Sequence, residues 1–195
     1  MATPSQPEPL TPVCTQALKE WDAQVQALAL GRFALVVRKG GIWEVRRGFE
    51  VRHSRFWLYP TFLHQNPLEL RPSHADLLRP DPAPGRVSLG ALAEVAAVWK
   101  VTDLGRARGL EGYQGLSAEA LERRFRYKDR PWVHAVLLRV RRLSNPLTVA
   151  ETKAYAGCVS WVELDEALST DGAVPVLPED RLEALQAELD GRLVG

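Results

Sequence analysis

Residues 132–140 carry the strongest β-strand signal in this chain. Successive side chains would project to opposite faces of a sheet, and apolar residues dominate both sets: Val133, Ala135, Leu137 and Arg139 on one face, and Trp132, His134, Val136, Leu138 and Val140 on the other. A strand needs hydrogen-bonding partners, so other segments have to supply further strands. Strand patterns recur at 32–38, at 56–59, within 87–101 and around Val159 and Trp161.

Helical patterns interrupt these strands at irregular intervals. Apolar residues at helical spacing predict a helix from Thr15 to about Leu30. Ser117 is predicted to cap a second helix to about Tyr127, and Pro178 to lie near the first turn of a closing helix with an apolar stripe of Leu182, Leu185 and Leu189. This irregular order argues against a doubly wound βαβ fold. The predicted class is α+β, with a curved mixed or partly closed β-sheet or barrel and peripheral helices.

Glycines and prolines predict where these elements break. Gly40-Gly41 predicts a hairpin turn, followed by a second short strand through Ile42 and Val45. Pro60 is expected to halt the strand at 56–59. The glycine-rich residues 103–115 are expected to form a mobile loop.

Length and composition favour one globular unit. The chain has 195 residues, so we expect a flexible leader over 1–13 and a single α+β domain over 14–195 with an acidic C-terminal helical segment. Two cysteines provide no disulfide framework, and neither a secretory signal nor an apolar run of about 20 residues is present. These features favour a cytoplasmic protein. Residues 1–150 contain 22 Lys and Arg against 14 Asp and Glu, whereas 151–195 contain 3 against 10.

The predicted hairpin tip combines charge with exposed backbone. Arg38 and Lys39 precede Gly40-Gly41, and a glycine pair lets backbone amides approach an anion closely. A phosphate-binding tip is one interpretation. The other is an ordinary turn, in which the glycines supply positive φ angles and the charges keep the tip soluble.

A second polar cluster follows the hairpin. His53 and Arg55 have the same parity in the predicted strand, and His64-Gln65 follows its end. Together with Glu44, the two histidines could line a ligand pocket, transfer protons or bind a metal. A metal site is the weaker hypothesis because no third ligand at characteristic spacing is present, and neither metal nor cofactor is predicted.

A basic run occupies the end of the second predicted helix: Arg123, Arg124, Arg126, Lys128 and Arg130, with Phe125 and Tyr127 between them. Basic groups interleaved with aromatic rings suit a nucleic-acid backbone with stacked bases. A solvated helix face, paired with nearby glutamates, is the alternative. Cys158 and Ser160 could offer a nucleophile, but packing is the favoured interpretation of this cysteine.

Several of these segments resemble a known bacterial family. They are Ala17 to Trp21, Arg38 to Ile42 with Glu44, Phe56 to Thr61 with His64-Gln65, and Gly157 to Trp161 with Pro175 to Leu177. The chain is identified by them as similar to the domain-of-unknown-function family DUF1802, a resemblance that implies no activity. A fainter similarity, used as an analogy, is to the RNA-binding β-barrels associated with pseudouridine synthases, through Lys39, Glu44 and Arg46.

These patterns support three hypotheses. The first is a binding or processing module for nucleic acid or nucleotides, in which Arg38, Lys39, Gly40 and Gly41 hold phosphate and His53, Arg55, His64, Glu44 and Gln65 line the pocket. The second is a hydrolytic enzyme, with or without the assistance of a metal ion, that uses a histidine and Glu44 as acid and base. The third is a protein-interaction module without a small ligand. Oligomeric state and substrate are not predicted.

Overall fold

The computed structural model describes residues 12–40, 53–155, 157 and 159–194. Its strands are β1 (Val13–Trp21), β2 (Leu35–Arg38), β3 (Arg55–Thr61), β4 (Arg86–Val101), β5 (Val133–Ala150), β6 (Trp161–Ser169) and β7 (Val174–Pro175). Its α-helices are α1 (Asp22–Ala29), α2 (Leu104–Arg108), α3 (Ala118–Arg126) and α4 (Glu179–Leu193). Short 3-10 helices occupy Pro67–Glu69, Pro72–Leu77, Glu111–Tyr113 and Tyr127–Asp129.

The strands form one mixed sheet in the order β2-β5-β4-β3-β1-β6, with β7 also paired to β5. The β1–β3 pair is parallel and the other pairs are antiparallel. The sheet is curved but not closed: β2 and β6 are its two edges, and the side chain of Arg38 at the end of β2 reaches Ser160 just before β6. We call this place, where the two edges approach, the seam. The predicted α+β class with a mixed sheet and peripheral helices is confirmed.

The first predicted helix is wrong over its first half. Residues from Val13 to Trp21 form β1, and the helix begins only at Asp22. Strand β1 lies between β3 and β6 and buries consecutive residues, Ala17 and Leu18, on its two faces. A strand covered on both faces loses the alternating pattern, so its apolar spacing imitates a helix.

Two predicted breaks are also wrong. Strand β3 continues through Pro60 to Thr61, since β4 pairs with β3 only over Arg55–Trp57 and Pro60 needs no partner on that side. The predicted mobile loop at 103–115 contains α2, whose N-terminus is capped by Asp103 Oδ1 accepting from the Arg106 amide at 2.8 Å. The hairpin turn at Gly41 and the strand through Ile42 and Val45 lie outside the described residues.

The helices close the two faces of the sheet. As predicted, Ser117 caps α3, and its Oγ accepts a hydrogen bond from the Ala120 amide. Helix α4 follows Pro178 and buries Leu182 and Leu189. Within the described residues, no helix combines the length and the apolar character required to cross a membrane.

Candidate nucleic-acid interface

Two basic segments that are distant in sequence meet at one cleft of about 630 Å³. One wall is the end of β2 with Arg38, Lys39 and Gly40, and the facing wall is α3 with Arg123 and Arg124. Strand β1, the loop after β3 and the residues before β6 complete the cleft, through Lys19, Glu20, Trp21, Thr61, Leu63, His64, Val159 and Ser160. We refer to this region as the basic cleft.

The charge of the basic cleft is unbalanced. Five lysine and arginine side chains line it, against two carboxylates, Glu20 and Glu69. An excess of three positive charges in a concave surface attracts anions, because the low-dielectric walls focus the field.

Arg38 lies across the seam rather than in solvent. Its Nη1 donates to Glu20 Oε2 at 2.8 Å and to the Lys19 carbonyl at 3.1 Å, and its Nη2 donates to Ser160 Oγ at 3.2 Å. The side chains of Arg38 and Glu20 are only 12% and 8% exposed. Arg38 therefore connects β2 to β1 and to the segment before β6, and it holds this side of the sheet together.

Lys39 also connects segments of the protein, from the end of β2 to the facing side of the cleft. Its Nζ donates to the carbonyls of Phe125 at 3.0 Å and Trp132 at 2.7 Å, and also to that of Arg130. The loop between them contains two non-glycine residues with positive φ, Lys128 at 56° and Asp129 at 52°. An ammonium group has three protons, so this lysine is fully engaged in holding a strained loop. Burial and the nearby Arg130 lower the pKa of Lys39.

The basic groups with the most room for a ligand lie on α3. Arg123 is 58% exposed and pairs with Glu69 at 3.1 Å, while Arg124 Nη2 lies 4.0 Å from the same carboxylate. Arg124 also donates to the Val37 carbonyl at 3.2 Å and lies over the Trp21 ring. Burial is the main cause of the lowered pKa of Arg124. The Glu69 carboxylate is thus shared by two guanidinium groups. An incoming anion would reduce the repulsion between these two positive charges.

Two exposed rings border these cations. Tyr127, at the C-terminal end of α3, is 56% exposed. His64 is exposed on the loop after β3 and adopts the left-handed conformation, with φ at 62°. Such a conformation is uncommon for a residue with a side chain and recurs at functional sites. Both rings are available to stack against a planar group.

A family match and a set of structural similarities follow from comparison with known proteins. The model of the domain of unknown function DUF1802 matches residues 17–188. The chain belongs to the DUF1802 family. The resemblance drawn from the hairpin and His-Gln segments is thereby confirmed. No curated protein matches the sequence.

Among solved structures, the DUF1802 chain is similar to ASCH from Zymomonas mobilis, with 15% identity and a TM-score of 0.42, over 88% of this chain and 93% of that chain. Two mutants of that protein are similar to the same degree. One has 14% identity and a TM-score of 0.42, over 88% and 96% of the two chains, and the other has 14% and 0.43, over 89% and 94%. Similarity of this extent supports no statement about a shared ligand or activity.

The structure brings together only some of the residues that the sequence indicated. His53 contacts the Trp161 ring edge-to-face at 4.9 Å, and His53 and Arg55 lie at the start of β3 whereas His64 follows its end. A seven-residue strand spans roughly 20 Å, so the two histidines do not meet. Gln65 Oε1 accepts from the Ala23 amide at 3.0 Å, which satisfies a free N–H in the first turn of α1.

The remaining predicted site residues differ in position. Glu44 and Gly41 lie outside the described residues, as does Cys158. Arg126 pairs with Glu122 at 3.0 Å on the solvent side of α3, and Lys128 and Arg130 are exposed in the loop that follows. Of the acid–base group proposed for hydrolysis, His64 alone lines the basic cleft among the described residues. The described part of the chain contains no group of three His, Cys, Asp or Glu side chains placed to hold a metal ion.

Sequence reasoning missed the residues of β1 that build the cleft. The sequence pattern places Lys19 and Glu20 in the interior of a helix and marks neither as a site residue. A Lys-Glu pair preceding Trp21 carries no recognisable motif, and its role becomes evident only when Arg38 is seen to pair with Glu20.

Proposed function

We propose that this DUF1802 protein binds single-stranded nucleic acid in the basic cleft. The observation that carries the proposal is the convergence of the β2 end and α3, about 85 residues apart in sequence, on one cleft with three excess positive charges. Phosphate neutralisation supplies most of the affinity of proteins for nucleic acids. The convergence of basic segments is therefore the feature that a polyanion would recognise.

The exposed rings favour a single strand over a duplex. Tyr127 stands next to the cations of α3, and His64 lies at the rim of the same cleft. Unpaired bases can stack on such rings, at about 1–3 kcal/mol per base, whereas bases in a duplex are already stacked. A duplex would contact the cations alone.

The roles of the basic residues differ within this proposal. Arg38 and Lys39 place the walls of the basic cleft and contribute their charge to its field, since their hydrogen bonds are directed to the protein. Arg123, which is 58% exposed, can contact phosphate directly, whereas Arg124 is mostly buried and contributes its charge from the wall of the cleft. Substitutions on α3 therefore test binding with less risk to the fold than substitutions of Arg38 or Lys39.

The test is binding of the full chain to fluorescent 12-nucleotide single-stranded RNA and DNA and to the corresponding duplexes, across a salt series. Arg123→Ala and Tyr127→Ala are compared with Arg192→Ala, which removes an equally exposed arginine from a glutamate pair on α4. Loss of one phosphate contact reduces the salt slope by about 1 and weakens binding uniformly across sequences. Tyr127→Ala should weaken binding to single strands more than to duplexes.

The proposal predicts that wild type and Arg192→Ala bind alike. Failure of wild type to bind any of the four probes at low salt would refute it. A similar loss in Arg123→Ala and Arg192→Ala would show that binding follows overall charge and has no relation to the cleft.

A further inference from the structure

A second cavity of about 670 Å³ adjoins the basic cleft and has a different chemical character. The two share Lys19, Thr61, Leu63 and Gly157 in their linings. Its volume falls within the range of about 300–1,000 Å³ that is typical of sites for small molecules. We refer to it as the apolar cavity, because most of its surface area is apolar; α1, the loop after β3 and the β4–β5 pair contribute to its lining.

Rigid elements shape the apolar cavity. Leu89 pairs with Leu147 and Ala91 with Arg142, so four residues of β5, 143–146, bulge opposite a single residue of β4, Gly90. A Cβ atom on Gly90 would lie 3.1 Å from Pro146 Cγ, so only glycine allows this close approach without displacement. Bulges of this kind recur beside binding sites because they redirect side chains.

Several stiff side chains form the walls. Pro60, Pro82 and Pro146 line the cavity together with Phe62 and Leu63. Proline rings are rigid and the phenylalanine ring is planar, so these groups lose little conformational freedom on binding. An apolar ring system packs against such groups without a large entropic cost.

The rim of the apolar cavity carries cations that lack partners. Arg86, Arg142 and Lys153 make no side-chain hydrogen bond or ion pair within the described residues. The carboxylates of the cavity, in contrast, are engaged: Asp22 accepts from Arg79 at 2.8 and 3.0 Å, Asp81 accepts from the Ala83 amide, and Glu151 accepts from the Tyr59 hydroxyl.

The Asp22–Arg79 pair adds a fixed donor to this rim. Asp22 is 2% exposed and binds the Nε and Nη2 groups of Arg79, so the guanidinium is held in one orientation. Its Nη1 group has no hydrogen-bond partner among the described residues. Five lysine and arginine side chains and three carboxylates line the cavity, so an excess of two positive charges favours an anion, while the apolar part of the surface favours an apolar body.

We infer that the apolar cavity binds a small organic anion whose ring system packs against the proline rings and Phe62 and whose anionic group is attracted by the cations of the lining that are unpaired within the described residues, Arg86, Arg142 and Lys153. A nucleoside monophosphate has this chemistry. The inference is independent of strand binding in the basic cleft, because its ligand is small and its cations belong to β4, β5 and the segment after β5.

The test is calorimetric titration of the full chain with adenosine monophosphate, in the absence of nucleic acid. Adenosine lacks the anionic group and inorganic phosphate lacks the ring, so both are expected to bind at least about tenfold more weakly. Arg86→Ala/Arg142→Ala should raise the Kd for adenosine monophosphate by about tenfold or more. Arg142→Gln alone should act in the same direction with a smaller change.

A control variant separates this cavity from a general effect of charge. Arg181→Ala removes an exposed arginine of α4 and should leave the Kd unchanged. Absence of binding at millimolar adenosine monophosphate, or equal affinity for inorganic phosphate, would overturn the inference. Loss of binding in Arg123→Ala but not in Arg86→Ala/Arg142→Ala would place the anion in the basic cleft and also overturn it.

Discussion

Substitution of Arg38 by alanine should destabilise the fold far more than the loss of an ordinary surface arginine. The change leaves the Glu20 carboxylate, 8% exposed, with hydrogen bonds from the Trp21 amide and the Gln24 side chain but without its paired cation. Removal of one partner from a buried ion pair costs about 3–5 kcal/mol. Because two hydrogen bonds to Glu20 remain, we expect a loss near the lower limit, about 3 kcal/mol. For a chain of this length that corresponds to a fall in Tm of about 6–12 °C.

Urea denaturation followed by tryptophan fluorescence measures this loss. Arg32→Ala is the matched control, because it breaks an arginine–carboxylate pair at the surface, where Asp76 is 58% exposed and solvent screening makes the pair contribute less than a buried one. Glu20→Met/Arg38→Met removes both charges together and should recover much of the stability lost in Arg38→Ala. If Arg38→Ala were no more destabilising than Arg32→Ala, Arg38 would not hold the seam, and its assignment to the fold rather than to the ligand would be wrong.

Three further outcomes follow from contacts in the structure. Lys39→Met should accelerate amide hydrogen exchange in the loop that follows α3 while leaving β4 protected. Equal acceleration in the loop and in β4 would contradict the inference that Lys39 holds this loop. Burial, with Lys100 and Lys39 nearby, lowers the pKa of His134 from 6.5 to about 4. Between these two pH values the unfolded chain binds a proton that the folded chain does not, so the free energy of unfolding should decline as pH falls from about 6.5 to 4. The urea midpoint of His134→Gln should decline less over the same range. Gly115→Ala should lose about 1–3 kcal/mol in urea titrations, because its Cβ would lie 2.9 Å from a buried phenylalanine ring, whereas Gly112→Ala, with no atom within 4 Å, should stay near wild type.

Elements with a local signal could be predicted from the sequence. The strand at 133–140, the Ser117 cap of α3 and the position of Pro178 at the start of α4 depend on neighbouring residues, and they appear where expected. Strand β1 could not be predicted in this way, because its conformation depends on parallel pairing with β3, about 40 residues later. Tertiary pairing overrides a helical pattern that is itself genuine, since the apolar residues of α1 continue directly from those of β1.

Some of the predicted site residues lie together in the structure, and whether they bind a ligand stays a prediction. Arg38, Lys39, Gly40 and His64 line one cleft with Arg123, Arg124 and Tyr127. Their roles were beyond sequence reasoning, because a hydrogen bond from Arg38 to Glu20, or from Lys39 to the Trp132 carbonyl, joins segments that nothing in the sequence relates. The apolar cavity had no signal at all, because its walls come from four separate segments.

The seam also determines when the basic cleft can first exist during synthesis of the chain. Leu35 of β2 pairs with Leu137 of β5, roughly a hundred residues later, and Arg38 reaches its last partner only at Ser160. A nascent chain that has not yet exposed β5 leaves β2 without a sheet, and one that has not reached Ser160 leaves Arg38 incompletely bound. The cleft is therefore complete only late in folding, so a ribosome-bound intermediate carries its basic segments as separate charges that no cleft brings together.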